Sequence, residues 1–86
     1  HCNINIGCTL GHDVTLHDFT TVMPGCNISG NVIVKEYTTI GTGSCIIQNK
    51  LIGQGSYIGA GAVVVKDVDD QSLYVGVPAK KVKDLI

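Results

Sequence analysis

The hydrophobic positions of this chain recur every six residues. An aliphatic side chain stands at each sixth position without an insertion: Ile4, Leu10, Leu16, Val22, Ile28, Val34, Ile40, Ile46, Ile52, Ile58 and Val64. This period does not fit an α-helix, because residues i and i+6 fall on opposite sides of a 3.6-residue turn. It suits a short strand followed by a corner. A short fixed repeat is typical of a solenoid, in which each unit buries its apolar face against its neighbours.

Two further columns of residues share the period. Four residues after each aliphatic comes a mostly small or β-branched side chain, as a narrow interior requires: Cys8, Val14, Thr20, Cys26, Val32, Thr38, Ser44, Lys50, Ser56, Ala62 and Val68. Three residues after each aliphatic comes mostly Gly, Asn or Asp: Gly7, Asp13, Phe19, Gly25, Asn31, Tyr37, Gly43, Asn49, Gly55, Gly61 and Asp67. Those types tolerate positive φ at tight corners. Lys50 conflicts with the inward column, so either it reaches outward or the coil bulges there.

This pattern of columns resembles the left-handed parallel β-helix of the hexapeptide-repeat acyltransferases. The resemblance implies an all-β fold in which three hexapeptides close one triangular coil of eighteen residues, with coils stacked at about the usual strand spacing of 4.8 Å. The period ends after Val68. We therefore predict a β-helix domain over residues 1–68 and a turn with a short closing segment over residues 69–86. Because the chain begins inside a repeat, we expect that an N-terminal domain is missing.

Composition narrows the range of partners and compartments. The 86 residues carry a net charge of −1 and no basic run, which argues against nucleic acid. No apolar segment reaches the length that spans a bilayer, so we expect no membrane partner. Cys2, Cys8 and Cys26 stand in the inward column as small hydrophobes, which predicts reduced core thiols in a cytoplasmic protein. Cys45 lies off that column, and we expect it to be partly exposed.

His12 is the first candidate for chemistry. It comes two residues after an inward aliphatic, so it should project at a corner, and Asp13 beside it can orient the imidazole and raise its basicity. Eighteen residues on, one coil above, stands Gly30. The missing side chain there leaves space beside the imidazole and exposes backbone groups that suit a thioester carbonyl and its oxyanion. The alternative is a surface histidine with no catalytic task.

Glycines form a second candidate surface. Gly41 and Gly59 lie eighteen residues apart with Thr42 and Ala60 beside them, which predicts a ridge with few side chains along one edge. A pantetheine arm could lie on this ridge and bond to backbone amides. Simple corner geometry explains the same glycines, and the two readings are compatible. Lys80 near the C-terminal end suits phosphate groups as a point charge, the alternative being a solvated basic tail.

A different resemblance concerns His12 and His17. The run from Gly11 to His17 is similar to a metal-binding stretch of the γ-class carbonic anhydrases, which use the same β-helix. That family needs a third histidine upstream, and the eleven-residue distance from His1 to His12 does not match. We therefore expect no metal, and a solvated His17 is the alternative.

Taken together, these residues resemble the group of sialic acid O-acetyltransferases and nucleotide-aminosugar N-acetyltransferases over nearly the whole chain. The resemblance rests on Asn5, Gly11-His12-Asp13, Asp18-Phe19, Pro24-Gly25-Cys26, Gly30-Asn31-Val32, Ile40-Gly41, Ile58-Gly59-Ala60-Gly61-Ala62 and Val75-Gly76-Val77-Pro78-Ala79-Lys80. The single repeats are shared by all hexapeptide acyltransferases. The His-Asp pair placed eighteen residues before Gly-Asn-Val, and the closing Val-Gly-Val-Pro-Ala-Lys, are more specific.

The resemblance also implies roles for individual residues. In that family the residue matching His12 is the general base, the one matching Asp13 raises its basicity, and the one matching Asn5 lies near the acceptor. The contacts with acetyl-CoA, largely through backbone groups, match four positions: Thr21, Gly30, Thr42 and Ala60. Some members have histidine at the Thr21 position. The family is trimeric with active sites between neighbouring β-helices, and members commonly carry an N-terminal domain that binds the sugar nucleotide.

The leading hypothesis is a homotrimeric transferase that moves an acetyl group from acetyl-CoA to an amino or hydroxyl group of a sugar or nucleotide sugar. A zinc enzyme of the γ-class carbonic anhydrase type is the second hypothesis. A non-catalytic β-helix that serves as a trimerisation module is the third. Metal content separates the first two, and loss of CoA binding with no effect of changing His12 would favour the third.

Overall fold

The structure is a computed structural model that describes residues 2–85. Its strands, in chain order, are β1 (Asn3–Ile4), β2 (Thr9–Leu10), β3 (Thr15–Leu16), β4 (Thr21–Val22), β5 (Asn27–Ile28), β6 (Ile33–Val34), β7 (Thr39–Ile40), β8 (Cys45–Ile46), β9 (Leu51–Ile52), β10 (Tyr57–Ile58), β11 (Val63–Val64), β12 (Ser72–Val75) and β13 (Lys80–Asp84). Residues 2–85 contain no helix, and hence none able to cross a membrane.

The strands stack in three columns that form the faces of a prism. Face 1 holds β1, β4, β7, β10, β12 and β13, face 2 holds β2, β5, β8 and β11, and face 3 holds β3, β6 and β9. Strands from β1 to β11 pair in parallel, and each residue pairs with the one eighteen positions later, as Asn3 does with Thr21. The eighteen-residue coil and the three-sided parallel β-helix are therefore confirmed.

Corners between the faces form three edges, which are named here for use below. Edge 1, between faces 1 and 2, comprises residues 5–8, 23–26, 41–44 and 59–62. Edge 2, between faces 2 and 3, comprises residues 11–14, 29–32, 47–50 and 65–67, since Val68 pairs with Ile52 on face 3. Edge 3, between faces 3 and 1, comprises residues 17–20, 35–38, 53–56 and 69–71.

The predicted aliphatic column forms the core of the prism. From Val22 to Val64 every member is at most 2% exposed. Ile4 and Leu10 are 45% and 42% exposed, because their coil has a neighbouring coil on one side only among residues 2–85. Burial of each coil thus comes from the coils above and below it, as expected for a solenoid.

The second inward column is polar where it can bond to the next coil. Thr38 Oγ1 donates to Gly53 O at 2.8 Å, Ser44 Oγ to Gly59 O at 2.8 Å, and Cys26 Sγ to Gly41 O at 3.0 Å. Each acceptor lies 15 residues further along the chain. No side-chain nitrogen or oxygen buried among the described residues lacks a partner. Small hydroxyl and thiol side chains therefore fill the interior without the cost of an unpaired polar group.

Corner residues adopt the predicted left-handed conformation. The third column has φ between 59° and 77° at every position from Gly7 to Gly61. Asn and Asp tolerate this region better than other side chains, but Phe19 and Tyr37 also adopt it, with φ of 63° and 61°. Both aromatic residues lie on edge 3.

Lys50 does not mark a bulge. The pairs Ile28–Ile46 and Val34–Ile52 keep the eighteen-residue register on either side of it, and the residue is half-buried. The corner column ends at Asp67, whose side-chain Oδ1 accepts a hydrogen bond from Leu51 N at 2.9 Å.

The closing segment covers the last coil with a shorter register. β12 pairs with β10 so that Tyr57 faces Leu73, 16 residues later, and β13 then returns antiparallel to β12. Lys81 Nζ lies 2.8 Å from Asp84 Oδ1 and 3.5 Å from Asp69 Oδ2. The hydrogen bond with Lys81 lowers the pKa of Asp84, and the same bond raises the pKa of Lys81. The pair is therefore fully charged at neutral pH.

Three cysteines follow the prediction and one departs from it. Cys26 is buried, and its burial raises the pKa of the thiol. Cys8 and Cys45 are half-buried. Cys2 was expected in the core but is exposed, because its coil is the first described coil; its Sγ still donates inward, to His17 O at 3.1 Å.

Val32→Asp should unfold the β-helix, because the side chain is fully buried and the carboxylate would find no partner. The expected loss is several kcal/mol, enough to unfold a typical domain. Asn31→Asp is the matched control, since position 31 is exposed and Asp13 already occupies the same column at the same φ of 59°. Circular dichroism melting of the two variants measures the difference. Equal melting temperatures would mean that the inward column is misassigned.

Candidate active site

His12 lies on edge 2, at the end of face 2. It is exposed, and its carbonyl accepts a hydrogen bond from Asn31 N at 2.8 Å, which fixes the backbone against the next coil. Within residues 2–85 no hydrogen bond or ion pair engages the imidazole. Asp13 is the next residue and has a φ of 59°. Its orienting effect on the His12 imidazole stays a prediction.

Gly30 lies directly above His12, as the eighteen-residue register requires. A Cβ on Gly30 would lie 3.2 Å from His12 O and 3.7 Å from His12 N. Its φ is not in the left-handed region, so close stacking, and not conformational freedom, explains the glycine. Across the described chain the Gly30 N–H donates to no protein acceptor, while its carbonyl accepts from Asn49 N at 3.0 Å. One backbone amide without a protein acceptor in the described chain thus lies on the same edge as His12, one coil above it.

Gly11 is tighter still. A Cβ on Gly11 would lie 2.5 Å from Gly30 N, a distance that a real Cβ contact does not reach. Gly11 therefore allows the backbone of Gly30 to lie against the coil that carries His12. The glycine immediately before the histidine is a packing requirement of this edge.

The glycine ridge lies on edge 1. A Cβ on Gly41 would meet Ile58 O at 2.5 Å, and one on Gly59 would meet Val75 Cγ1 at 2.6 Å, so neither position has room for a side chain. Thr42 and Ala60 beside them are exposed. Their amide N–H groups donate to no acceptor in the part of the protein that the structure describes. The ridge therefore presents a row of backbone donors to its surroundings.

Asn5 and Thr21 lie near the ridge and not near His12. Asn5 is on edge 1, and its Nδ2 donates to Val22 O at 3.0 Å, which leaves the side-chain oxygen available as an acceptor. Thr21 opens β4 on face 1, half-buried, with its backbone N donating to Thr38 O at 2.9 Å.

The predicted site residues therefore divide between two edges of one prism. His12, Asp13 and Gly30 lie on edge 2, whereas Asn5 and the glycine ridge lie on edge 1, with face 2 between them. A single copy of the chain does not bring the two groups together.

A cleft of about 300 Å³ lies at the C-terminal end of the prism. It is lined by Val65, Lys66, Asp67, Tyr74, Pro78, Ala79, Lys80 and Lys81. Lys66 is two residues after Val64, the same place in its repeat that His12 occupies, and its position was not predicted. Lys81 is paired with Asp69 and Asp84, whereas Lys66 and Lys80 form no ion pair among the described residues. The cleft therefore combines apolar side chains with the ammonium groups of Lys66 and Lys80, which have no carboxylate partner in the described part of the chain.

Edge 3 carries contacts that sequence reasoning missed. His17 Nδ1 lies 3.4 Å from Glu36 Oε1, so His17 is not simply solvated. The rings of Phe19 and Tyr37 stack with centroids 5.2 Å apart and planes 7° from parallel. Both contacts join adjacent coils, and the eighteen-residue register alone brings Phe19 next to Tyr37.

Among residues 2–85 no three His, Cys, Asp or Glu side chains lie close enough together to hold a metal ion. His12 and His17 lie at opposite edges of face 3.

Comparison with solved structures identifies the class of fold. The acetyltransferase domain of PglB from Neisseria gonorrhoeae FA1090, solved with acetyl coenzyme A, is 40% identical with a TM-score of 0.92 over 94% of this chain and 40% of that chain. The H141N mutant of perosamine N-acetyltransferase from Caulobacter crescentus, solved with CoA and GDP-perosamine, is 36% identical with a TM-score of 0.91 over 93% and 38%. WeeI from Acinetobacter baumannii AYE is 33% identical with a TM-score of 0.88 over 95% and 44%.

These neighbours confirm the predicted fold: the chain is a left-handed β-helix of the hexapeptide-repeat acyltransferase type. Of the three, one is a perosamine N-acetyltransferase and one is an acetyltransferase domain. The chain spans less than half the length of each of the three. No family model matches it, and a search of curated proteins finds no match.

Gly11→Ala should destabilise the protein more than Gly30→Ala. The first Cβ would meet Gly30 N at 2.5 Å, and the second would meet His12 O at 3.2 Å, which a small shift relieves. Overpacking of the first kind typically costs about 1–3 kcal/mol, or several degrees in melting temperature for a domain of this size. Calorimetric melting of both variants tests the stacking. A Gly11 variant that melts like the unaltered protein would show that edge 2 is looser than described.

Proposed function

We propose that the protein is an acetyltransferase that moves an acetyl group from acetyl-CoA to an amino or hydroxyl group of a sugar or nucleotide sugar. The observation that carries the proposal is the exposed His12 on edge 2, with the Gly30 backbone, whose N–H has no protein acceptor in the described chain, stacked directly above it. Support also comes from neighbours at 36% and 40% identity that were solved with CoA and GDP-perosamine and with acetyl coenzyme A.

His12 acts as the general base in this proposal. It accepts the proton of the acceptor group as that group attacks the thioester carbonyl, and Asp13 supplies a neighbouring negative charge. The Gly30 N–H stabilises the negative charge that develops on the carbonyl oxygen. The new C–N or C–O bond forms as the C–S bond breaks, and the proton passes from His12 to the departing sulfur. No cysteine is required, since the acetyl group passes directly between the substrates.

Edge 1 binds the pantetheine arm of acetyl-CoA. The amide N–H groups of Thr42 and Ala60 donate to its carbonyl groups, while Gly41 and Gly59 let the neighbouring segments pack closely and hold these amides in place. Thr21 adds a contact on face 1. At the C-terminal end Lys80 meets the phosphate groups, and Lys66 in the same cleft adds a second cation.

Two copies must combine to make one site, because His12 and the ridge lie on different edges of a prism. We propose a homotrimer with parallel axes, in which edge 2 of one copy faces edge 1 of the next. A cyclic trimer repeats this contact three times and closes the assembly. Asn5 lies near the acceptor, a cytoplasmic sugar or nucleotide sugar.

His12→Ala should lower kcat by roughly 10²–10⁴-fold, the usual effect of losing a general base, and leave CoA affinity nearly unchanged. Asp13→Asn should lower it less, because only the neighbouring charge is lost. The matched control is His17→Ala, which removes an exposed imidazole whose ion pair with Glu36 is worth little. Steady-state transfer to aminosugar and hydroxyl acceptors measures all three.

Normal turnover by the His12 variant would remove this residue from the mechanism. Failure of the unaltered protein to bind CoA would favour the trimerisation module, and stoichiometric zinc lost on changing His12 would favour the zinc enzyme.

Light scattering should give three times the chain mass at micromolar concentration. We expect the trimer to be favoured because, in a closed cyclic assembly, every copy pairs both of its contact edges. A stable monomer that still transfers acetyl groups would contradict the composite site.

A further inference from the structure

A column of four residues on edge 3 has a different character from the other corners. Its members in successive coils are Phe19, Tyr37, Gly55 and Gln71, with φ of 63°, 61°, 68° and 50°. Most other corners use Gly, Asn or Asp, for which this conformation is less costly. Two bulky aromatic residues in the left-handed region are outliers that call for a reason.

The two rings form a ladder whose upper face is open. Phe19 and Tyr37 are stacked, yet they are 49% and 62% exposed. The next step of the ladder is Gly55, which has no side chain. Gln71 occupies part of this step, since its Cγ lies 3.2 Å from where a Cβ on Gly55 would be. Because Tyr37 stays 62% exposed although Phe19 covers one face of its ring, the other face is open and forms the floor of a slot.

Spacing of the coils suits a flat ring in this slot. Adjacent coils are about 4.8 Å apart, and the two protein rings already stack across that distance with centroids at 5.2 Å. A planar ring above Gly55 would continue the ladder by one step. Stacking of nucleic-acid bases on aromatic side chains is strong and tolerates any base, because every base has a π-face.

Polar groups around the slot favour a neutral ring over a phosphate. Edge 3 carries four acidic residues, Asp18, Glu36, Asp69 and Asp70, and one lysine, Lys35, so its negative net charge disfavours a phosphate. The carboxamides of Gln54 and Gln71 flank Gly55, and within residues 2–85 neither is hydrogen-bonded. A carboxamide carries both a donor and an acceptor, which complements the mixed edge of a base.

We propose that the slot over Gly55 binds a nucleobase by stacking on Tyr37. The base belongs either to the nucleotide of the acceptor or to the adenine of acetyl-CoA, and this choice of source rests on the proposed function. The slot itself depends only on edge 3, which is separate from His12 and from the glycine ridge.

Binding is measured by NMR on the tyrosine ring resonances during titration with GDP, UDP, CoA and inorganic pyrophosphate. Tyr37 signals should shift upfield and saturate with a ligand that carries a base. A response to GDP or UDP assigns the base to the acceptor, and a response to CoA alone assigns it to the acetyl donor. Pyrophosphate has no ring and should leave Tyr37 unchanged.

Gly55→Asn fills the slot while it keeps the backbone, because Asn31 and Asn49 occupy the same column at φ 59° and 61°. It should weaken the response of Tyr37 roughly tenfold or more, as loss of a stacked base does. Gly7→Asn is the matched control, since its φ is 77° and a Cβ there meets nothing closer than 3.7 Å. Melting curves establish that both variants fold.

The proposal is overturned if no ligand with a base shifts Tyr37, or if the Gly55 variant binds as tightly as the control. Contacts of Tyr37 with another copy in mixed-label samples, with no response to nucleotides, would likewise overturn it in favour of an interface. Because binding is read without acetyl transfer, an inactive protein that binds the base supports the slot, and an active protein with unresponsive Tyr37 rejects the slot alone.

Discussion

The structure depends on coil-to-coil hydrogen bonding at a constant eighteen-residue register. Each two-residue strand is too short to be stable by itself, and it persists because the same pairing repeats above and below. The interior reinforces the register: Ser, Thr and Cys side chains bond to carbonyls of the next coil while the aliphatic column excludes water. A change of coil length would break both patterns at once, which explains why the repeat contains no insertion up to Val64.

This constraint also explains why the edges are suited to binding. At the corners from Gly25 to Gly61 the residue with positive φ donates its N–H to the coil below, as Asn31 does to His12 O. Within residues 2–85 the preceding residue leaves its own N–H without a protein acceptor at Gly30, Thr42 and Ala60. Donors of this kind recur at fixed intervals on a backbone that cannot easily move. Such pre-organised amides are what binding to carbonyl groups and developing negative charge requires. The proposed division of the site between edges 1 and 2 then makes assembly of several copies part of the chemistry.

Deviations from the repeat create the structural features that are specific to this chain. Phe19 and Tyr37 replace the usual corner residues on edge 3 and stack on each other. The closing segment shortens the register to 16 residues, which brings Lys80 next to Lys66 and forms the cleft. These local departures, and not the coil itself, distinguish this chain from a generic β-helix.

The sequence by itself determined the inward columns, the corner conformations and the place of Gly30 above His12, because a six-residue period translates directly into position within a coil. It also led to the resemblance that the solved neighbours confirm. Tertiary structure alone decided that Lys50 is accommodated without a bulge and that Cys2 is exposed, since both depend on the coils around them. It likewise decided the His17–Glu36 pair and the cleft at Lys66, because neighbouring coils and the returning strand β13 create contacts that no local pattern contains.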